Sequence, residues 1–181
     1  MQKAVTTYFL EMSDPAQLRP PRRPADDLTI VHAAQPTPEF SRFFYTAVGG
    51  TWYWTKRLPW TYTEWLAHLG RAGYELWYGT HAGAPVGYFE LVRGAADAVD
   101  ILCFGLLPRY IGRGFGGSLL TAAVTRAWAL GPPRVTVDTC TLDGPHALGN
   151  YQARGFQIMR QVTTLRDLPE LPPGPWPGAG L

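Results

Sequence analysis

The stretch that most limits how this chain can fold begins at Ala98. Residues 98–107 (AVDILCFGLL) are almost continuously apolar, which suits a strand buried on both faces. Pro108 and the glycines Gly112, Gly114, Gly116 and Gly117 follow, and then Phe115, Leu119, Ala123, Ala127 and Leu130 recur at helical spacing. A buried strand that enters a helix through glycines points several backbone N–H groups at one spot, with the positive helix end behind them. Without Cβ atoms in the way, an anion can approach that backbone closely. A phosphate or diphosphate site is the natural inference; the plainer alternative is a tight turn that binds nothing.

The rest of the chain supplies a mixed set of elements around this turn. Residues 3–12 are β-branched and aromatic and read as a strand, and residues 28–34 (LTIVHAA) as a second. Between them Pro15, Pro20, Pro21 and Pro24 exclude helix and central strand. Thr37 reads as an N-cap, with Pro38 in the first helical position, of a helix running from Phe40 to about Val48. A second short helix starts at Thr61 or Thr63 and runs to about Leu69. Residues 74–80 and 85–92 form a hairpin, 134–142 alternates as a strand, 145–154 is a short helix stopped by Gly155, and 156–165 is a last strand. The tail from Pro169 carries five prolines and reads as loosely held. The expectation is one α/β domain over 1–181, with an N-terminal strand and Pro-rich segment at 1–27 and a Pro-rich tail at 169–181.

Bulk properties narrow the function. A formal net charge of +2 is too small to imply nucleic acid. No run approaches the roughly 18 apolar residues of a membrane helix, and the N-terminus does not read as a signal peptide. Cys103 and Cys140 lack metal-ligand spacing and read as buried, reduced thiols, so no metal and a cytoplasmic setting are expected.

Gly112-x-Gly114-x-x-Gly117 satisfies a dinucleotide fingerprint, with Asp138 about 20 residues on, where a ribose-binding acid would sit. A Pro108-containing linker intervenes, however, and too little chain follows Asp138 for the second half of a doubly wound fold. No Gly-Lys-Ser/Thr follows the glycines, which excludes a P-loop. Leu106-Leu107-Pro108-Arg109-Tyr110-Ile111-Gly112-Arg113-Gly114-Phe115-Gly116 instead resembles the acyl-CoA signature of the GNAT superfamily of N-acyltransferases. Anchored on Pro108, the pattern puts Gly114 and Gly116 at the family's glycines and Ile111 where Arg or Gln is usual. A second match, Ala147-x-x-x-Tyr151-x-x-x-Gly155-Phe156, is similar to the superfamily's C-terminal helix and turn, with Gly144 where the family often has Asn.

The resemblance implies a GNAT-like α/β fold: a mixed, mostly antiparallel sheet of six to seven strands, splayed between the fourth and fifth, with about four helices. It implies acetyl-CoA as cosubstrate and no metal. Its diphosphate would be held by Ile111, Gly112, Arg113, Gly114, Phe115, Gly116 and Gly117, and its pantetheine arm by Phe104, Gly105 and Leu106. Asn150 is a neighbouring contact. The activity implied is acyl transfer to a primary amine or peptide amine by direct attack, with no nucleic-acid or membrane partner.

An amine attacks a thioester only when neutral, so a base must take its proton; the leaving thiolate is helped by an acid. The resemblance makes Tyr151 the acid; the alternative is a ring that merely packs on the sheet. Glu90 and Asp100, acids on central strands, are the candidates for the base, although either could be a structural partner for an arginine. A backbone N–H near Leu106 is the implied oxyanion donor, and Asp138, Thr139, Cys140 and Thr141 are candidates to line the acceptor side. Trp52, Tyr53, Trp54, Trp60, Tyr62 and Trp65 crowd one segment. They read either as an aromatic wall over the acceptor cleft, led by Trp52, Trp54 and Trp60, or as core packing or a homodimer contact. Two other functions fit the same glycine turn: a non-catalytic acyl-CoA sensor and a nicotinamide-dinucleotide oxidoreductase.

Overall fold

A computed structural model of the chain describes residues 1–176 and residue 179. Seven strands form one sheet: β1 (Gln2–Met12), β2 (Thr29–His32), β3 (Glu75–His81), β4 (Ala84–Arg93), β5 (Val99–Leu106), β6 (Val135–Cys140) and β7 (Gln157–Asp167). Four α-helices accompany it: α1 (Pro38–Gly49), α2 (Tyr62–Leu69), α3 (Phe115–Ala129) and α4 (Ala147–Ala153). Across the sheet the order is β2-β3-β4-β5-β6-β1-β7. Among the described residues, only β5 and β6 pair in parallel. A sheet so largely antiparallel is not the doubly wound parallel sheet that a dinucleotide fold requires.

Helix boundaries follow local chemistry. The Thr37 side chain accepts from the Phe40 N–H at the start of α1. Thr61 and Glu64 form a reciprocal capping box at the start of α2. Each face of the central strands is then covered by its own layer, while β7 stays exposed. On one side α3 lays Leu119, Leu120, Ala123 and Val124 against Phe89, Leu91, Val99 and Ile101. On the other, α1 and α2 pack Phe44, Tyr45, Val48 and Trp65 against Leu76, Tyr88 and Cys103. Covered on both faces, β4 is buried from Val86 through Val92, so its alternate residues, Glu90 included, enter the α1–α2 layer rather than solvent.

Two features position the site. First, β5 and β6 pair only at Val99–Val135, Asp100–Thr136 and Ile101–Val137, although both strands continue beyond that point. They splay apart at what is the fourth and fifth position across the sheet. Second, the N-terminal strand β1 is inserted between β6 and β7 and pairs antiparallel with both. Residues near the two ends of the chain thereby build one side of the cleft.

The tail differs from its sequence reading. Gly174 N–H donates to the Gly50 carbonyl (3.0 Å), and Tyr53 Oη donates to the Glu170 carbonyl (3.4 Å). Prolines cannot form a helix here, yet the segment docks through its non-proline amide and carbonyl groups. The last of its prolines, Pro177, lies outside the described residues.

Gly155, which ends α4, has φ +106°, and a Cβ there would run into the Gln17 carbonyl oxygen. Gly155→Ala combines backbone strain with a steric clash and is expected to destabilise the fold by about 2 kcal/mol in denaturant unfolding.

Candidate active site

The parting of β5 and β6 opens into a cavity of about 880 Å³ that runs through the sheet. On the α3–α4 side it is lined by Phe104, Leu106, Ile111, Gly112, Gly116, Asn150 and Tyr151, while Gly105 turns toward Val48 of α1. Leu107 N–H donates to Val86 O (2.8 Å), and strand alternation then turns the N–H groups of Leu106 and Phe104 toward the slot. Gly114 begins α3 at φ +89° with no side-chain cap, so the first-turn amides have no internal partner from that source. Gly112 has φ +76°, and a Cβ there would project into open space. The Asn150 amide donates to Gly116 O at 3.5 Å and ties α4 to the mouth of α3. Uncapped amides, an open glycine cradle and unpaired strand donors together fit a diphosphate on a long polar arm.

The glycine run divides its labour. Gly112 and Gly116 line the cavity, whereas Arg113, Gly114 and Phe115 line a smaller depression behind it with His81 and Asp26. Phe115 is buried among Val86 and Tyr110, and the Arg113 guanidinium lies 5.7 Å from the Tyr110 ring centre. Gly117 faces Arg154 and Pro21, where it serves close packing of α3.

The α1–α2 side holds a buried charged cluster that the sequence reading did not assemble. Arg57 Nη1 donates to both Glu90 carboxylate oxygens at 2.9 Å, and His68 Nε2 lies 3.2 Å from Glu90 Oε2. Glu90 has no exposed surface. Burial pushes its pKa up, but the His68 hydrogen bond and the Arg57 charge outweigh this and hold it below the usual carboxylate range. The guanidinium carbon is 5.2 Å from the Tyr45 and Trp60 ring centres and 5.8 Å from that of Trp65. Glu90 does not line the cavity, while Arg57, His68 and Trp60 do. Of the sequence's two alternatives for Glu90, the geometry matches the arginine partner.

Asp100 also lies away from the cavity: its carboxylate accepts from Thr136 Oγ1, at the end where β5 and β6 are still joined. The aromatic segment divides between the two roles open to it. Trp52, Trp54 and Trp60 line the cavity, Trp65 is core, and Tyr62 is exposed. Trp54 Nε1 donates to Asp143 Oδ1 at 3.3 Å, fixing the indole at the wall.

Tyr151 sits where the two sides meet. Its ring packs edge-on to Phe104 at 5.9 Å and Phe156 at 6.0 Å, and its residue lines the cavity. Burial, followed by the charges of Asp143 and Asp138, pushes its pKa well up, so the phenol keeps its proton. Burial, with the Glu90 charge, pushes Cys103 up to about 12, so this cavity thiol is not a ready nucleophile. Asp138 lines the cavity and is open to its solvent. Lys56, Tyr45, His68, His146 and Asp143 also line it, and no sequence motif flagged them as a set. The one available signal was Arg57, a lone guanidinium in an aromatic run, as a match for the acid inside apolar β4.

The family model described as the Acetyltransferase (GNAT) family matches residues 35–156. No curated protein matches the sequence. Among solved structures, a GCN5-related N-acetyltransferase from Kribbella flavida superposes with a TM-score of 0.64 at 18% identity, covering 91% of this chain and 59% of that one. One from Sphaerobacter thermophilus gives 0.65 at 19% identity, covering 90% of this chain and 50% of that one. A GNAT family acetyltransferase from Elizabethkingia anophelis, with acetyl-CoA bound, gives 0.53 at 20% identity over 75% of this chain and 79% of that one. The chain thus spans only half to three fifths of the length of the first two. At these identities the likeness is one of fold.

Proposed function

Because the chain belongs to the GNAT family of acetyltransferases, we propose that it is an acyl-CoA-dependent N-acyltransferase that moves an acyl group, acetyl in the first instance, onto a primary or peptide amine. The observation that carries this reading is the slot between β5 and β6, which opens beside the uncapped first turn of α3. Phosphate groups are favoured at such a helix mouth, and free strand donors suit the amide-bearing pantetheine.

In this reading the Leu106 N–H is aimed at the carbonyl oxygen where charge develops during attack. Tyr151, kept protonated by burial, supplies a proton to the departing sulfur. The high pKa of Cys103 favours direct attack by the amine over an acyl-cysteine intermediate. Trp52, Trp54 and Trp60 form the walls of the acceptor chamber, and Glu90 holds Arg57 and His68 in place behind them.

The test is a melting-temperature titration with acetyl-CoA, followed by a panel of amines monitored for free thiol. Acetyl-CoA is expected to raise the melting temperature, and NAD(H) is not. No shift at millimolar acetyl-CoA overturns the assignment. Tyr151→Phe is expected to lower kcat about a hundredfold while leaving the acetyl-CoA shift intact. A non-catalytic sensor would instead keep its function in this variant.

A further inference from the structure

We propose that Asp138 is the carboxylate that receives the acceptor's ammonium group and takes its proton. This rests on the acyltransferase reading above and names the base that neither Glu90 nor Asp100 is placed to be.

The first ground is position. Val137 is the last β6 residue paired with β5, so Asp138 is the first residue past the point where the strands part. It lines the cavity together with Tyr151 and Cys103, and its charge is felt at both. The second ground is availability. The other acids near the sheet are engaged: Glu90 by Arg57 and His68, Asp100 by Thr136. Asp143 accepts from Trp54 Nε1, Thr139 Oγ1 (2.7 Å) and the Cys140 N–H (2.8 Å). Asp138 accepts no side-chain hydrogen bond and makes no ion pair among the described residues. A carboxylate left open in an aromatic-walled chamber is a site for an alkylammonium ion.

The groups that bear on Asp138 are Lys56 and Arg166, which favour its charged form, and Asp143 and Asp100, which oppose it. Desolvation at the cavity wall is the largest effect; it outweighs the cations and raises the Asp138 pKa above the ordinary aspartate value, toward that of a useful base. The proton balance closes. The ammonium gives one proton to Asp138, and the freed nitrogen lone pair forms the N–C bond as the C–S bond breaks. The sulfur takes the Tyr151 proton, and the phenolate recovers the second nitrogen proton. Asp138 returns its proton to solvent.

The test is Asp138→Asn, assayed with an alkylamine and with an arylamine that is neutral at the assay pH. With the alkylamine, kcat is expected to fall at least about a hundredfold, with the acetyl-CoA melting shift unchanged. The arylamine, which needs no initial deprotonation, is expected to lose much less. In the wild type, kcat should fall as pH drops through the Asp138 pKa, above the ordinary aspartate value near 3.9, and the variant should lack this acid limb. Retention of more than about a tenth of the alkylamine rate with the acid limb intact, or equal losses for the two amines, overturns the role of Asp138. If the wild type binds no acetyl-CoA and releases thiol with no amine, the acyltransferase reading itself falls and takes this proposal with it.

Discussion

Glu90→Ala is expected to cost about 3–5 kcal/mol of stability, because it strands the Arg57 guanidinium in the core without its counter-charge. Breaking a buried pair is far more damaging than replacing it, since the remaining ion has lost water and gained nothing. For a chain of this size the loss corresponds to a fall of roughly 6–20 °C in melting temperature. The double variant Arg57→Met/Glu90→Leu removes both charges and fills similar volume, so it is expected to recover most of that loss. If the single variant were as stable as the wild type, the cluster would not anchor the aromatic layer. The charge also sets a pH dependence. The folded pKa of Glu90 lies below its ordinary 4.5. Its contribution is therefore complete above that value and is lost as pH falls through the folded pKa. Acid denaturation of the wild type should begin in this range, and the double variant should lack that component.

Gly112→Val is expected to weaken acetyl-CoA binding by about 10²–10⁴-fold, as measured by isothermal titration. At φ +76° a β-branched residue is strained, and relaxing that strain swings the loop amides away from their common focus. A Val side chain that stays would occupy the open space the glycine leaves for the ligand. Loss of two charge-assisted hydrogen bonds, at about 1.5–3 kcal/mol each, accounts for the fold-change. Because a Cβ at Gly112 would meet nothing within 4 Å beyond its chain neighbours, the fold itself has little to lose beyond the loop strain. A variant that bound acetyl-CoA normally would place the diphosphate elsewhere.

The sequence by itself determined the local vocabulary and the family. Strand and helix limits followed from apolar periodicity, from Thr37 as a cap, and from Gly155 as a stop, because these depend on neighbours in the chain, whereas the structure chose Thr61 over Thr63 as the cap of α2. The glycine turn was legible for the same reason: a strand, a proline and glycines of positive φ define a helix mouth almost unaided. The helix-turn around Tyr151 likewise carried its family resemblance in the sequence.

What only the tertiary structure decided was which side chains meet across long separations. Nothing local says that β1 slips between β6 and β7, since a strand's pattern reveals its faces and not its neighbours. Nor could periodicity distinguish Glu90, locked between Arg57 and His68 from other elements, from Asp138, left open where two strands part. Each is a single acid on a strand, and the sequence offers both only as candidates. Whether such an acid is an anchor or a free carboxylate depends on the charges that arrive from other elements, and those are fixed only when the layers close.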